Sequence, residues 1–427
     1  MNRSAPLSDA PLIGWSEGWR YGLMGLPLAF VALPLYVILP NFYARNFGMS
    51  LATLGFVLLG ARFFDAVIDP LLGRWSDRLF ASSITSILRW GAAAAMVLGL
   101  GFTLLFFPPA MPLPWLAAWL GVSLIITYSA FSTLSILHQS WGARLGGDEA
   151  QRSRIVAWRE GLGLAGVLLA SVLPVAFGLP ITTAVFYMAL ACGCRAWWSA
   201  PKPPKLANSA TDQSPLSIWL PFTRPAFRVL LAVFVMNGIA SAIPATLILF
   251  FVQDQLQAPA NTEPLFLGSY FVFAALFIPF WLHVVRRIGL ARAWFAGMLL
   301  SIAVFLFASQ LAAGDVAAFV AVCALSGIGL GADLALPGAL LAGVIQSSGD
   351  QSRAEGAYFG WWNFATKLNL ALAAGLALPI LGVLGYVPGT RDAAALQTLT
   401  WAYCLLPCAL KLTAAAILYT FIIRKSP

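Results

Sequence analysis

Two aspartates lie in a stretch of the sequence that is otherwise apolar. Asp65 and Asp69 are four residues apart in ARFFDAVIDP, and Arg62 precedes Asp65 by three residues. At helical spacing these three side chains project from one face. A charge near the centre of a bilayer costs about 2.5 to 3.5 kcal/mol on insertion scales, so such groups persist where they face protein or water. Two carboxylates in this position could bind Na⁺ or share a proton, which predicts a cation site.

The surroundings of this pair support that interpretation. Pro70 lacks an N–H and so leaves the carbonyl of Ala66 as a further oxygen ligand. Lys367, in YFGWWNFATKLNLALAAG, lies near the middle of another apolar run and is a counter-charge that a cation could displace. The alternative for all four charged residues is a set of ion pairs that only holds helices together.

Other polar and aromatic side chains within apolar runs are candidates for binding a substrate, and each has a structural alternative. His138 could line a cavity or be a core histidine. Asp333 lies four residues before Pro337 and could serve function or lock helices. Arg159 could reach a cavity or extend to the membrane interface. Trp361 could stack on a ligand or pack. The remaining candidates are hydrogen-bonding groups, Ser132 and Asn363.

The composition places the chain in a lipid bilayer. It has 427 residues, of which 60% are hydrophobic and only 10% are charged, a balance that a soluble surface does not carry. The apolar residues come in runs of roughly 20, the length of a membrane-spanning helix. We therefore predict an all-α membrane protein with twelve spans. They lie near residues 21 to 43, 49 to 71, 86 to 107, 115 to 140, 157 to 178, 180 to 199, 227 to 252, 264 to 285, 290 to 312, 315 to 346, 357 to 385 and 396 to 422.

Charge in the loops predicts the orientation. With both termini cytoplasmic, only Arg45 and Arg391 among the loop Lys and Arg residues fall on the outer side, as the positive-inside bias requires. The net charge of +9 then reflects topology, and we expect no nucleic-acid partner. The first run is long enough to remain as a helix rather than be cleaved as a signal. We expect a multi-pass protein of a bacterial-type inner membrane.

A polar, Pro-rich stretch divides the spans six from six. We predict an N-terminal six-helix bundle at 1–200, a cytoplasmic linker at 201–225 and a C-terminal six-helix bundle at 226–427. Two half-bundles with a substrate route between them are typical of secondary transporters. The chain contains no HExxH, GxSxG or P-loop motif, and GLGLAG at 161–166 lies within a span, where small-residue helix packing is the better interpretation.

Several of these segments together resemble a known family. ARFFDAVIDPLLGRWSDR, YGLMGLPLAF, WREGLGLAG and EGAYFGWWNFATK are similar in order and spacing to segments of the glycoside-pentoside-hexuronide cation symporters, the melibiose permease-like branch of the major facilitator superfamily. The resemblance implies the two-bundle fold of that superfamily. It also implies cation coupling at Asp65 and Asp69 with Arg62 alongside, a functional lysine at Lys367, and Arg159 lining the cavity.

The resemblance extends to a gating loop and also shows departures. GRWSDR at 73–78 resembles the superfamily's gating loop, with Gly73, Asp77 and Arg78 as its key residues. Acidic positions that bind sugar in the melibiose permease fall on Ala29 and on or near Ser132. These departures count against a galactoside substrate and favour H⁺ over Na⁺ as the coupling ion.

The leading functional hypothesis is a secondary active transporter that couples H⁺ or Na⁺ to a small solute, with a sugar or glycoside as candidates. We expect no cofactor, no enzymatic activity and a monomer, with the solute and the bilayer as partners. Two alternatives remain open. One is an exporter or a transporter of a non-sugar amphiphile on the same fold, and the other is a polytopic membrane enzyme acting on a lipid-linked substrate.

Overall fold

The computed structural model describes residues 13–49, 51–204, 217–259, 262–386 and 389–424. Every regular element within these ranges is helical, which confirms the all-α prediction for this part of the chain. We number the long helical stretches in chain order. They are α1 (Trp15–Gly22, Gly25–Leu33, Pro34–Ile38 and Leu39–Phe47 in succession), α2 (Leu51–Ser82), α3 (Ile84–Phe106), α4 (Leu113–Arg144), α5 (Glu149–Pro174), α6 (Ala176–Trp198), α7 (Pro225–Gln255), α8 (Glu263–Ile288), α9 (Leu290–Ala308), α10 (Val316–Ser347), α11 (Glu355–Val383) and α12 (Ala393–Ile423).

The helices follow the predicted spans one for one. Among the described residues, nine of them, α3 to α10 and α12, are long and apolar enough to cross a membrane. Two breaks have clear local causes. New helical pieces within α1 begin at Pro34 and at Leu39, which Pro40 follows directly, because proline cannot donate to the preceding turn. Gly178, with φ 76°, forms a kink near the start of α6, within two residues of the predicted boundary between the fifth and sixth spans.

Close packing in this fold depends on small residues. A Cβ on Gly166 of α5 would lie 2.1 Å from the carbonyl oxygen of Leu26 in α1, so only glycine fits there. In the same way a Cβ on Gly327 of α10 would lie 2.2 Å from the carbonyl oxygen of Tyr270 in α8. GLGLAG thus acts as a helix-packing motif, as the sequence analysis expects.

The chain divides into two compact units. The first consists of Met1–Thr223 and Ala342–Phe364, and the second of Arg224–Leu341 and Ala365–Pro427. This differs from the predicted domains, because the end of α10 and the start of α11 belong to the first unit. The reason is chemical, since Asp77 and Arg144 of the first unit bind this segment directly.

Candidate functional site

Asp65 and Asp69 are both completely buried in the first unit. The hydroxyl of Ser132 in α4 donates a hydrogen bond to Asp65 Oδ1 at 2.8 Å. Arg62 lies on the same face of α2, with its guanidinium carbon 5.6 Å from the centre of the Tyr128 ring. The two acids therefore face protein, as their spacing predicts.

The opposite side of α2 is apolar and exposed. Phe63, Phe64 and Val67 have 73%, 40% and 49% of their surface accessible. These side chains are suited to contact lipid, whereas the carboxylates one helical turn apart point into the unit. Helix α2 thus directs its carboxyl groups into the protein and its apolar side chains outwards, towards the bilayer.

The start of α11 packs directly on the backbone of α2 next to the acid pair. A Cβ on Gly360 would lie 2.7 Å from the carbonyl oxygen of Asp69, and a Cβ on Gly73 would lie 2.0 Å from the carbonyl oxygen of Gly356. Glycine at these positions allows the two backbones to approach closely. The register of α11 on α2 therefore fixes the backbone that carries Asp69.

One turn further along α2, Asp77 caps the N-terminus of α11. Its carboxylate accepts hydrogen bonds from the backbone N–H groups of Gly356 at 2.7 Å and Ala357 at 2.9 Å. These N–H groups have no partner within their own helix, and the helix dipole favours a negative charge beside them. Asp77 thereby ties α2 to the segment that joins α10 and α11.

Arg144 at the end of α4 completes this contact. Its guanidinium forms ion pairs with Asp77 at 3.1 Å and with Glu355 at 2.8 Å, and it donates to the carbonyl oxygen of Ser352 at 2.7 Å. Its carbon atom also lies 4.2 Å from the centre of the Phe80 ring. One buried cation therefore serves two buried carboxylates, which leaves the cluster with one excess negative charge.

Burial raises the pKa of both acids in this cluster. Asp77 lies beyond the predicted membrane span at 49 to 71. Burial raises the pKa of Asp77 to about 7, with a further contribution from Glu355, while Arg144 and the two backbone donors act in the opposite direction. Burial likewise raises the pKa of Glu355, and Arg144 opposes that shift. The two carboxyls compete for one guanidinium, so the cluster holds a proton to higher pH than an isolated aspartate.

Two of the three predicted gating residues contact the same segment of the chain. Gly73 and Asp77 both contact the segment around Gly356. Arg78, by contrast, is exposed. Its predicted gating role stays a prediction.

The predicted substrate residues of the first unit have different surroundings. His138 is fully buried, stacks on Tyr21 with ring centres 4.4 Å apart, and has Nε2 at 2.9 Å from the Tyr21 carbonyl oxygen. These contacts favour a packing role for His138. Arg159 forms an ion pair with its neighbour Glu160, half-buried in α5.

Trp361 and Asn363 lie in the part of α11 that belongs to the first unit. The indole N–H of Trp361 donates to the carbonyl oxygen of Ile218 at 2.9 Å, and its ring packs against Trp219 and Phe222. Asn363 accepts a hydrogen bond from Gln139 at 3.3 Å. Trp361 thus holds the segment before α7 against α11, and Asn363 links α11 to α4 through Gln139.

The last two predicted residues lie in the second unit. Asp333 forms an ion pair with Lys411 at 2.8 Å and accepts from Asn237 and Trp294. Lys367 also belongs to this unit, further along α11. Its role as counter-charge to the acid pair stays a prediction.

The sequence analysis missed four polar residues that complete these clusters. Lys411 is a charge within an apolar run, the same signal that singled out Asp65. Arg144 and Glu355 stand at helix ends, where a charge is ordinary and gives no signal. Asn237 is an uncharged residue within α7, so only the structure links it to Asp333.

Comparisons with known proteins identify the family. The sequence profile of the MFS/sugar transport protein family matches residues 20–425. The chain belongs to this family. It therefore has the fold of the major facilitator superfamily, as expected, and it is a multi-pass membrane protein.

Relatives with curated descriptions are distant. The chain is 28% identical over 153 residues to the putative glycoside/cation symporter YagG of Escherichia coli K12, which is 35% of this chain and 33% of that protein. It is 25% identical over 156 residues to the inner membrane symporter YicJ of the same organism, again 33% of that protein. It is 23% identical over 420 residues to the uncharacterized symporter YjmB of Bacillus subtilis 168, covering 92% of this chain and 88% of that one. The alignments to YagG and YicJ thus span about a third of each.

Solved structures share the fold at low identity. A bacterial homologue of the iron transporter ferroportin in an outward-facing state has a TM-score of 0.69 at 17% identity, covering 94% of this chain and 99% of that one. The transporter FucP in the outward conformation has a TM-score of 0.64 at 12% identity, covering 93% and 97%. At these identities the likeness is one of fold.

The glycine contact between α2 and α11 is open to a direct test. We expect Gly73→Ala to lower the free energy of unfolding by roughly 1–3 kcal/mol, because the added methyl group overlaps the Gly356 carbonyl oxygen. Thermal unfolding of the purified protein measures the effect. Gly60→Ala is the matched control in the same helix, since no described atom lies within 4 Å of its Cβ. Equal stability of the two variants would contradict the close approach.

The raised pKa of Asp77 predicts a pH dependence. The folded protein holds this proton more tightly than the unfolded chain, so the stability that it contributes is complete below about pH 4 and is lost as the pH rises towards 7. We expect the Tm of the wild type to fall relative to that of Asp77→Asn over this range and to run parallel above it. Asp148→Asn, at an exposed helix cap, is the control. A wild-type minus Asp77→Asn difference that is constant with pH would refute the assignment.

Proposed function

We propose that this transporter is a symporter that couples a monovalent cation, H⁺ or Na⁺, to the uptake of a small solute by alternating access. The observation that carries the proposal is the burial of Asp65 and Asp69, one helical turn apart, in the apolar interior of the first unit. Two carboxylates this close favour the binding of a cation or a shared proton, since either one lowers the cost of their burial.

The geometry supports a cation site in further ways. The Ser132 hydroxyl donates to Asp65 at 2.8 Å, so it holds this carboxyl group in place and adds a polar oxygen beside the acid pair. Packing of Gly360 on the backbone of Asp69 holds the second acid in a fixed position. A rigid backbone with two charged oxygen donors suits a small hard cation.

Helix α2 connects the proposed cation site to the contact between Asp77 and the start of α11, so binding of the cation can affect that contact. Asp69 and Asp77 lie on the same helix, and both adjoin the start of α11. With both termini cytoplasmic, the contact of Asp77 and Arg144 with the start of α11 is a cytoplasmic gate. Its release would open the route to the cytoplasm, and the linkage between ion and gate is then a shift between two states.

For the solute, a sugar or glycoside is the best-supported class. The support is the family's description and the relative YagG, named as a putative glycoside/cation symporter. We propose no resident cofactor, so the cation is a co-substrate. A thermal-shift screen of glycosides, pentoses, uronates and organic acids, with Na⁺ or at varied pH, identifies the solute for the tests below.

Neutralising the acids tests the coupling. We expect Asp65→Asn and Asp69→Asn each to reduce cation-driven accumulation of the solute in proteoliposomes at least tenfold, because an amide cannot carry the charge that the ion neutralises. Exchange of labelled for unlabelled solute without a gradient should persist, which shows that the variants are folded. Asp148→Asn is the matched control. If both variants accumulate solute like the wild type, coupling at this pair is wrong.

The direction of solute transport is tested in membrane vesicles. Right-side-out and inverted vesicles, each with the same imposed cation gradient, separate uptake from export, since a symporter moves solute and cation in the same direction. Accumulation against the direction of the cation flow would replace symport with the exchange mechanism of an exporter.

The hydroxyl of Ser132 gives a graded test. We expect Ser132→Ala to raise the cation concentration needed for half-maximal transport roughly tenfold, since a hydrogen bond to a charged group contributes about 1.5–3 kcal/mol. Ser129→Ala is the control on the same helix, because the Ser129 hydroxyl bonds the carbonyl oxygen of Ile125. An unchanged cation dependence in Ser132→Ala would remove this residue from the site.

A further inference from the structure

The second unit contains a cavity of about 270 Å³. Its walls come from α7, α8, α9, α10 and α12, all within this one unit. Most of the lining is apolar, and aromatic rings form part of it. Those rings are Tyr270, Phe271, Phe305 and Tyr403. A cavity of this size and lining suits a molecule somewhat smaller than a drug.

Asp333 and Lys411 form the polar part of the wall. Asp333 Oδ1 accepts from Asn237 at 3.0 Å and from the Trp294 indole N–H at 2.9 Å. Its Oδ2 accepts from Lys411 at 2.8 Å and from Ser241 at 3.4 Å. Four donors thus saturate this carboxylate, which leaves little room for another donor.

Lys411 differs because its ammonium group has one more N–H donor than the described residues use. An ammonium group has three N–H donors, and among the described residues two of them go to Asp333 Oδ2 and to Asn237 Oδ1 at 2.7 Å. Lys411 lines the cavity and is only 4% exposed. The cavity therefore presents one charged donor at the edge of an apolar space.

We propose that this cavity binds a small uncharged amphipathic molecule, with its apolar body against Phe305 and Tyr403 and an acceptor oxygen, carbonyl or hydroxyl, at the Lys411 ammonium. The ligand is uncharged because Asp333 and Lys411 already balance, and an additional charge would stay uncompensated in an apolar space. The few polar groups of the lining are too sparse to satisfy the hydroxyls of a sugar. This site is independent of the cation coupling proposed above.

The competing explanation is that the ion pair only locks α7, α10 and α12 together. This explanation makes a different prediction about the affinity for a ligand that carries an acceptor oxygen. A structural lock leaves the cavity indifferent to the polar group of a guest, whereas a binding site discriminates between a ligand with an acceptor oxygen and a hydrocarbon of equal shape.

A matched set of probes tests the discrimination. 4′-Fluoroacetophenone carries the acceptor oxygen, 4-fluoro-α-methylstyrene replaces it with a methylene of similar shape, and 4-fluorobenzoate is charged. Fluorine NMR of each probe with the purified full-length protein in nanodiscs gives the dissociation constant, and empty nanodiscs correct for partition into lipid. We expect the ketone to bind at least tenfold more tightly than the hydrocarbon and the benzoate.

Two variants localise the binding. Ser326→Leu fills the cavity and should abolish saturable binding, with little effect on folding because the Ser326 hydroxyl bonds only within its own helix. Ser269→Leu, a half-buried serine outside the lining, should bind like the wild type. The double variant Asp333→Asn/Lys411→Met removes the donor without leaving a lone buried charge, and should bring the ketone to the affinity of the hydrocarbon.

Four results would overturn the proposal. Three are equal affinities for the ketone and the hydrocarbon, benzoate binding as tightly as the ketone, and ketone binding that Ser326→Leu leaves unchanged. The fourth is the absence of saturable binding of any probe, which would leave the ion pair as a helix lock. Because Ser326→Leu keeps the ion pair intact, the test holds even if the double variant fails to fold.

Discussion

The cost of keeping charge in an apolar interior governs this protein. Each buried ion loses several kcal/mol of hydration, which only partners or a bound ion can restore. The described part of the chain meets this cost in two ways. Asp333 and Arg144 are surrounded by groups of opposite charge and by hydrogen-bond partners. For Asp65 and Asp69, two buried acids one helical turn apart, we propose that a mobile cation contributes to this compensation.

Glycine contacts connect the chemistry to the fold. The start of α11 lies against the backbone of α2 because Gly73, Gly356 and Gly360 carry no side chain. The same approach brings the first N–H groups of α11 to Asp77. Helix α2 therefore carries the acid pair and the helix cap on one rigid element. An ion that shifts the position of α2 would act on both, which is the physical basis for coupling ion binding to a gate.

Most of the fold was predictable from the sequence because it follows from local properties. Runs of about 20 apolar residues set the helices, and the predicted boundary between the fifth and sixth spans lies within two residues of the kink at Gly178. The spacing of Asp65 and Asp69 placed them on one buried face. Contacts between distant segments were not predictable. That Arg144 would meet Glu355 depends on how helix ends come together, and neither residue is unusual in its own sequence context.

The division into two units was likewise predictable only where it follows from local composition. The polar linker marked the boundary after α6, where the composition changes. The assignment of Ala342–Phe364 to the first unit depends instead on three hydrogen-bonding residues, Asp77, Arg144 and Arg152, which bind its backbone and its side chains. Composition carries no information on such a transfer, since the segment looks like any connection between two spans.

The central claim is that a travelling cation neutralises Asp65 and Asp69 in turn with the transport cycle. Infrared difference spectroscopy of the purified protein, recorded on adding Na⁺ and on changing the pH, tests this most directly, because it reports the protonation and coordination of buried carboxyls. The account predicts carboxyl bands that respond to one of these ions in the wild type and that disappear in Asp65→Asn and Asp69→Asn. Bands that respond in the same way in both variants, or no response to either ion, would contradict it.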